Sequence, residues 1–248
     1  MRSWGIGLLL TSFFAVPAYA ADMPAKMPVK APMVAAPYNW SGFYIGVNVG
    51  GSWGSQDNAL VTAGGVTVLT NTAKPNGVIG GGQVGYNWQF NQVVLGLEAD
   101  FQGSGQKGDG DPLYFSPGIA GIAGGGAFSI PYSDKLEWFG TVRGRLGYAW
   151  DRWLAYATAG WAYGGGKIDG TAVIGGVTTA FSGSKTYNGW TAGGGVEYAF
   201  MNRWSAKLEY LYVDFGDGPT VPVTAAVNIV AGKMTDNIVR VGLNYKFF

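Results

Sequence analysis

The 248-residue chain holds 43 Gly, 10 Trp, 14 Tyr and 13 Phe, no Cys and no His, and only 12% of its residues are charged. That composition excludes disulfide scaffolds, His/Cys metal centres and thiolate or imidazole catalysis. With 16 basic against 15 acidic residues, there is no electrostatic case for nucleic acid as a partner.

Residues 1–20 have the build of an export signal. Arg2 precedes an apolar core from Ile6 to Val16, and Ala18-Tyr19-Ala20 supplies a small-x-small site that predicts cleavage between Ala20 and Ala21. Beyond it, no apolar run approaches the ~20 residues of a membrane helix. Residues 21–38 carry Pro24, Pro28, Pro32 and Pro37, which predicts an extended periplasmic tether with no core of its own.

Residues 39–248 read as eight strands, because apolar and polar residues alternate with a period of two. Trp40–Gly54 sets Phe43, Ile45, Val47 and Val49 against Tyr44, Gly46, Asn48 and Gly50. Gly77–Phe90 carries Val84, Tyr86 and Trp88 on one face, and Val93–Gln102 carries Leu95, Leu97 and Phe101. Leu136–Trp150 sets Val142, Leu146 and Tyr148 against Thr141, Arg143 and Arg145. In Trp153–Gly166 the phase is open: a two-residue turn points Trp153 and Trp161 outward, whereas Leu154 and Tyr156 argue for the opposite phase. Asn188–Phe200 and Trp204–Asp214 alternate cleanly, as does the last run, in which Val239, Val241, Leu243, Tyr245 and Phe247 share a face.

The connections alternate in length. Short turns fall at Asn91-Gln92, Asp151-Arg152 and Met201-Asn202-Arg203, and long stretches at 55–76, 103–135, 167–187 and 215–235. Short periplasmic turns and long extracellular loops are the pattern of outer-membrane barrels, and an even strand number returns both termini to the periplasm. Aromatic residues cluster at both ends of the strands, as headgroup-level belts require. The predicted fold is therefore all-β, an eight-stranded antiparallel transmembrane up-and-down β-barrel. Ala59–Thr70 and Thr171–Phe181 alternate around Gly64-Gly65 and Gly175-Gly176 and predict hairpins that extend the barrel above the membrane. Residues 115–132 are Gly-rich and apolar, consistent with self-packing, with docking a partner or with folding into the barrel mouth.

A charge facing lipid at mid-membrane costs about 2–4 kcal/mol, so Arg143, Arg145, Lys207 and Arg240 are assigned to the lumen with Glu98, Asp100, Glu197 and Glu209. The hairpin around Asn202 puts Glu197 opposite Lys207, which predicts an ion pair. Glu98 and Arg145, equally far from their short turns, are expected at similar height. An eight-stranded interior is just wide enough for side chains to fill. Two readings follow: a structural barrel plugged by ions, or a narrow solute channel that the same ions gate.

Other motifs carry little. Gly80-Gly81-Gly82-Gln83-Val84-Gly85 fits a dinucleotide fingerprint without the helix it needs, so the glycines serve close backbone approach. Asp109-Gly110-Asp111 lacks the further ligands of a calcium loop. Asn39-Trp40-Ser41 is a chance sequon. Ser205 and Lys207 share a face, but a paired lysine is a poor base. No catalytic residue, cofactor or metal site is predicted.

Asn39-Trp40-Ser41-Gly42-Phe43-Tyr44-Ile45-Gly46, Leu208-Glu209-Tyr210-Leu211-Tyr212, Val241-Gly242-Leu243-Asn244-Tyr245-Lys246-Phe247 and the Ala20-Ala21-Asp22 processing site together carry a resemblance. The chain resembles the small porin-like outer-membrane β-barrel family of alphaproteobacteria, of the Brucella and rhizobium type. The resemblance implies an abundant envelope protein that supports membrane integrity and exposes loops to the environment or a host. Outer-membrane lipid and lipopolysaccharide are expected partners. Tyr245 and Phe247 are expected to form the signal read by the barrel-assembly machinery, with Phe248 out of phase.

Overall fold

The computed structural model describes residues 37–62, 64–106, 108–109, 113–115, 128–130, 132–174, 177–218, 220–224 and 227–247. The expected processing site at Ala20 and Ala21, the expected tether up to residue 36 and Phe248 lie outside these residues, as do Gly110, Asp111, Gly175, Gly176 and most of 115–132. The strands are β1 (Gly42–Thr62), β2 (Thr67–Ala73), β3 (Asn76–Phe90), β4 (Val93–Ser104), β5 (Gly108–Asp109), β6 (Leu113–Phe115) and β7 (Phe128–Ile130). They continue with β8 (Tyr132–Trp150), β9 (Trp153–Ile174), β10 (Val177–Tyr198), β11 (Trp204–Asp217), β12 (Thr220–Thr224) and β13 (Val227–Lys246).

Eight of these close a barrel in the antiparallel order β8-β4-β3-β1-β13-β11-β10-β9, and β9 pairs back onto β8. The seam between first and last long strands runs from Tyr44 opposite Lys246 to Ser55 opposite Thr235 before a shift at Gln56/Asn58. The two-residue turns close with Phe90 opposite Val93 and Trp150 opposite Trp153. Their first residues, Asn91 and Asp151, take φ of 55° and 54°, a conformation Asn and Asp tolerate better than other side chains.

Alternation places Ile45, Val47, Val49, Leu95, Leu97, Val142, Leu146, Leu208, Val241 and Leu243 on the outer face, the lipid side of an outer-membrane barrel. Trp88, Phe90, Trp150, Trp153 and Trp204 ring one end and Trp53, Phe101, Trp161 and Trp190 the other. From Trp153 to Trp161, β9 crosses between the belts in about the 9–11 residues of a tilted spanning strand. The phase of this strand resolves without conflict, since Trp153 and Trp161 face out while Leu154 and Tyr156 are buried in the lumen.

The strands do not stop at the outer belt. β9 and β10 stay paired from Tyr198 opposite Trp153 to Val177 opposite Ile174, so the 167–187 stretch is an extended hairpin. The β1–β2 hairpin forms similarly, with Leu60 opposite Leu69 and Gly65 at φ 82° in its turn. The 215–235 stretch adds the β12–β13 hairpin, with Val221 opposite Ile229, which the sequence reading left as loop. Its signal was the alternation around Val221, Val223, Val227 and Ile229, interrupted by Pro222. Pro222 sits on a strand paired on one side to β13, where a missing donor is tolerated.

Candidate functional site in the barrel lumen

The inward phase of the strands stacks the lumen in layers. At mid-barrel Glu98 and Asp100 (β4), Arg143 and Arg145 (β8), Glu197 (β10), Lys207 and Glu209 (β11) and Arg240 (β13) are all buried and converge in one network. Arg143 donates to Glu98 Oε1 at 2.5 Å, Asp100 Oδ2 at 2.9 Å and Glu209 Oε1 at 3.0 Å. Arg240 reaches Glu209 Oε2 through Nε at 2.7 Å and Asp100 Oδ2 at 2.8 Å. Lys207 Nζ bonds both oxygens of Glu98, at 2.9 and 3.0 Å. Four acids face four bases, so the layer is neutral as a whole.

Glu197 stands opposite Lys207 in the β10–β11 ladder, as the turn length requires. The expected ion pair does not form, however. Glu197 Oε2 accepts from Arg145 at 2.8 Å, and its Oε1 accepts from Ser205 at 2.5 Å and Asn244 at 2.8 Å. The long lysine instead crosses the lumen, where Glu98 offers two acceptor oxygens. Glu98 and Arg145 do meet, at 3.5 Å, although Glu98 lies directly opposite Arg143 and Gly96 opposite Arg145. Ser205 is committed to Glu197, so the Ser205/Lys207 pair has no nucleophile–base contact.

Neutral residues that sequence reasoning did not assign complete the layer. Tyr44 O–H donates to Glu98 at 2.8 Å and accepts from Arg145 at 2.8 Å. Tyr156 donates to Glu209 at 3.0 Å, and the Arg145 guanidinium lies 3.8 Å from its ring centre. Gln83 links Asn48 to Asn244. A glycine marks each tyrosine: Gly85 is opposite Tyr44 and Gly195 opposite Tyr156. A Cβ there would fall 2.4 Å from the Tyr44 hydroxyl or 2.8 Å from that of Tyr156. These glycines, one of them in the dismissed dinucleotide motif, were the available signal.

Apolar layers cover both sides. On the periplasmic side Trp40 is 3% exposed and packs with Val94, Ala149, Leu154 and Ala199, with Tyr38 against the cluster. Trp40 N–H donates to Gln89 at 2.6 Å, so the chance sequon is part of a plug. On the outer side Ile79, Leu136, Phe139, Tyr187, Leu211 and Phe215 belong to a larger buried cluster. Beside it Gln106 bonds Ser52 at 2.5 Å and Asp236 at 2.6 Å. Gly77 lets Gln106 fold in, since a Cβ would lie 2.7 Å from the Gln106 backbone. At the seam, Phe247 N–H donates to Phe43 O at 3.0 Å, and the Phe247 ring meets those of Phe43 and Tyr245.

All eight charges are buried, at 0–4% side-chain exposure, in one ionic layer across the lumen. Among the described residues no His/Cys/Asp/Glu group has the arrangement of a metal site.

Comparison with known proteins agrees with this architecture. The outer membrane protein beta-barrel domain family matches residues 6–247. The chain is 41% identical to the 31 kDa outer-membrane immunogenic protein of Brucella melitensis biotype 1, over 96% of this chain and 97% of that one. It is 34% identical to the 22 kDa outer membrane protein of Rhizobium leguminosarum bv. viciae, over 67% of this chain and 66% of the relative. Among solved structures, the outer membrane protease OmpT of Escherichia coli superposes with a TM-score of 0.57 at 11% identity, covering 85% of this chain and 98% of OmpT. At that identity the likeness concerns the barrel fold alone. The chain belongs to the outer membrane protein beta-barrel family and is a protein of the Gram-negative outer membrane.

Proposed function

We propose that the chain is a structural, non-conducting and non-catalytic barrel that supports the outer membrane and presents its outer hairpins to the surroundings. The observation that carries this reading is the neutral ionic layer, buried at mid-lumen between two apolar caps. An ion crossing it would have to break buried charge pairs, and a buried charge left unpaired is strongly disfavoured. The outer hairpins of β1–β2, β9–β10 and β12–β13 supply the surface available to host or environmental ligands. Tyr245 at the end of β13 and Phe247 just past it, on the closing seam, form the segment offered to the assembly machinery.

Planar-bilayer recording of the refolded protein tests the reading. The expected result is a silent membrane. Stable unitary steps that change when Arg143 and Arg145 are neutralised would establish a gated channel instead.

A further inference from the structure

Above the outer belt, β8, β9 and β10 enclose a cleft of about 240 Å³ on the outward face of the barrel wall. A β-bulge builds it. Leu136 pairs with Gly166 and Trp138 with Gly165, which leaves Glu137 as an extra residue without a partner across the ladder. Bulges of this kind re-aim side chains beside sites, and here Glu137 reaches Lys167 at 3.3 Å, with both side chains about half exposed. Gly165 forms the floor. A Cβ on it would meet the Trp138 indole at 2.7–3.0 Å, so only glycine lets the indole stand against bare β9 backbone. Ser184 opposite Lys167 and Thr186 opposite Gly165 supply a hydroxyl rim from β10.

The height of the cleft identifies what reaches it. Gly165 lies four residues beyond the belt residue Trp161, about 13 Å along the strand, and β9 continues to Ile174 above it. That is the headgroup layer rather than the tip of the extension. Trp138 also belongs to the belt, through ring contacts with Phe101 at 5.7 Å and Tyr163 at 6.2 Å, and Tyr163 meets Trp161 at 5.3 Å. Below the cleft the outward face passes Tyr163 and the Val142–Trp161–Trp190 belt row before it reaches Gly144, Ala159 and Ala192, in register across the same three strands in the hydrocarbon zone.

We infer that this cleft binds the sugar headgroup of an outer-leaflet glycolipid bearing an anionic substituent, whose acyl chains reach the hydrocarbon zone below the belt. Trp138 and the Gly165 backbone take the apolar face of one sugar ring. The Glu137 carboxylate and the Ser184 and Thr186 hydroxyls take its hydroxyl groups, and Lys167 takes the anionic group. The volume is below the ~300–1,000 Å³ of pockets for larger ligands, which suits a single ring. The inference concerns the outer wall and stands whether or not the lumen conducts.

Native mass spectrometry and calorimetry of the refolded chain in detergent, titrated with rough lipopolysaccharide, test it. Lys167→Ala and Trp138→Leu are expected to weaken binding about tenfold each, the scale of one charge-assisted hydrogen bond or one packed ring. Lys74→Ala, at an exposed residue elsewhere on the outer side, should leave affinity unchanged. Heat-dependent gel mobility verifies that each variant is folded. The double variant Glu137→Lys/Lys167→Glu keeps the ion pair but reverses its polarity, and should also lose binding. Equal losses in Lys74→Ala and Lys167→Ala would overturn the site in favour of diffuse charge attraction. Equal affinity for the deacylated core oligosaccharide, or for phosphatidylglycerol micelles, would overturn the glycolipid assignment.

Discussion

Arg143 is the residue on which the lumenal layer turns, because one guanidinium satisfies Glu98, Asp100 and Glu209 at once. Replacing it by Met leaves three acids around one missing charge, and breaking a buried pair costs about 3–5 kcal/mol. Urea unfolding of the refolded protein, followed by tryptophan fluorescence, should show that loss. Arg143→Lys should recover part of it, since an ammonium keeps the charge but not the planar fork. By contrast Lys233→Ala, which removes an exposed amine from its 2.7 Å contact with Asp214, should leave the midpoint in place. At the periplasmic plug, burial pushes the Tyr38 phenol up to about 12, with Glu197 adding to the rise and Arg152 opposing it. A folded value above the ordinary 10 favours the neutral form. The stabilisation is therefore complete below pH 10 and disappears as pH rises through 12. The 295 nm absorbance difference between wild type and Tyr38→Phe should titrate in that window, not at 10. Which residues faced the lumen was legible, because charge on the lipid side is prohibitive. Which acid each base meets was not: Lys207 leaves its ladder partner Glu197 for Glu98, a choice made across the barrel rather than along a hairpin.

The strands carry two separable jobs, and the boundary between them is the outer belt. Below it, β9 and β10 need lipid-facing apolar residues outside and lumenal polar residues inside. Above it, they need only ladder pairing and the burial of scattered apolar residues such as Leu60, Phe181, Val221 and Ile229. Removing Thr171–Ala180, which is register-matched across β9 and β10, should therefore shorten the extension yet leave heat-dependent gel mobility intact. Within the membrane the tolerance is narrower. Gly85→Ala drives a Cβ into Tyr44 and the Leu97 carbonyl, whereas the nearest atom to a Cβ at the lipid-facing Gly144 is 3.9 Å away. The first should cost about 1–3 kcal/mol as overpacking and the second almost nothing, in the same unfolding assay. The membrane-spanning parts were legible because water, lipid and lumen impose a strict period of two. Their continuation was harder to see, since above the headgroups both faces of a strand accept polar residues. The hairpins of 59–70 and 171–181 still showed their alternation, whereas 215–235, interrupted by Pro222, looked like loop although the ladder persists.

At the scale of the molecule, the fold separates an export-side end with tight turns from an outer end with long hairpins, and two aromatic belts fix its depth. This arrangement commits the chain to one orientation, and the absence of cysteine makes the orientation directly measurable. A single cysteine at Gly64, exposed in the β1–β2 turn, should react with a membrane-impermeant maleimide on intact cells. One at Gln92, exposed in the β3–β4 turn, should react only after the outer membrane is permeabilised. Neither position contributes a side chain to the lumenal layers, so folding offers no competing explanation for a difference in labelling. The proposed non-conducting reading sharpens the expectation, because a lumen filled by Trp40, the ionic layer and the Phe139–Phe215 cluster would keep the reagent from reaching Gln92 through the barrel. Labelling of Gln92→Cys on intact cells, with Gly64→Cys protected, would invert the barrel. Labelling of both, with periplasmic marker proteins still protected, would mean that the lumen is open and that the ionic layer is a gate.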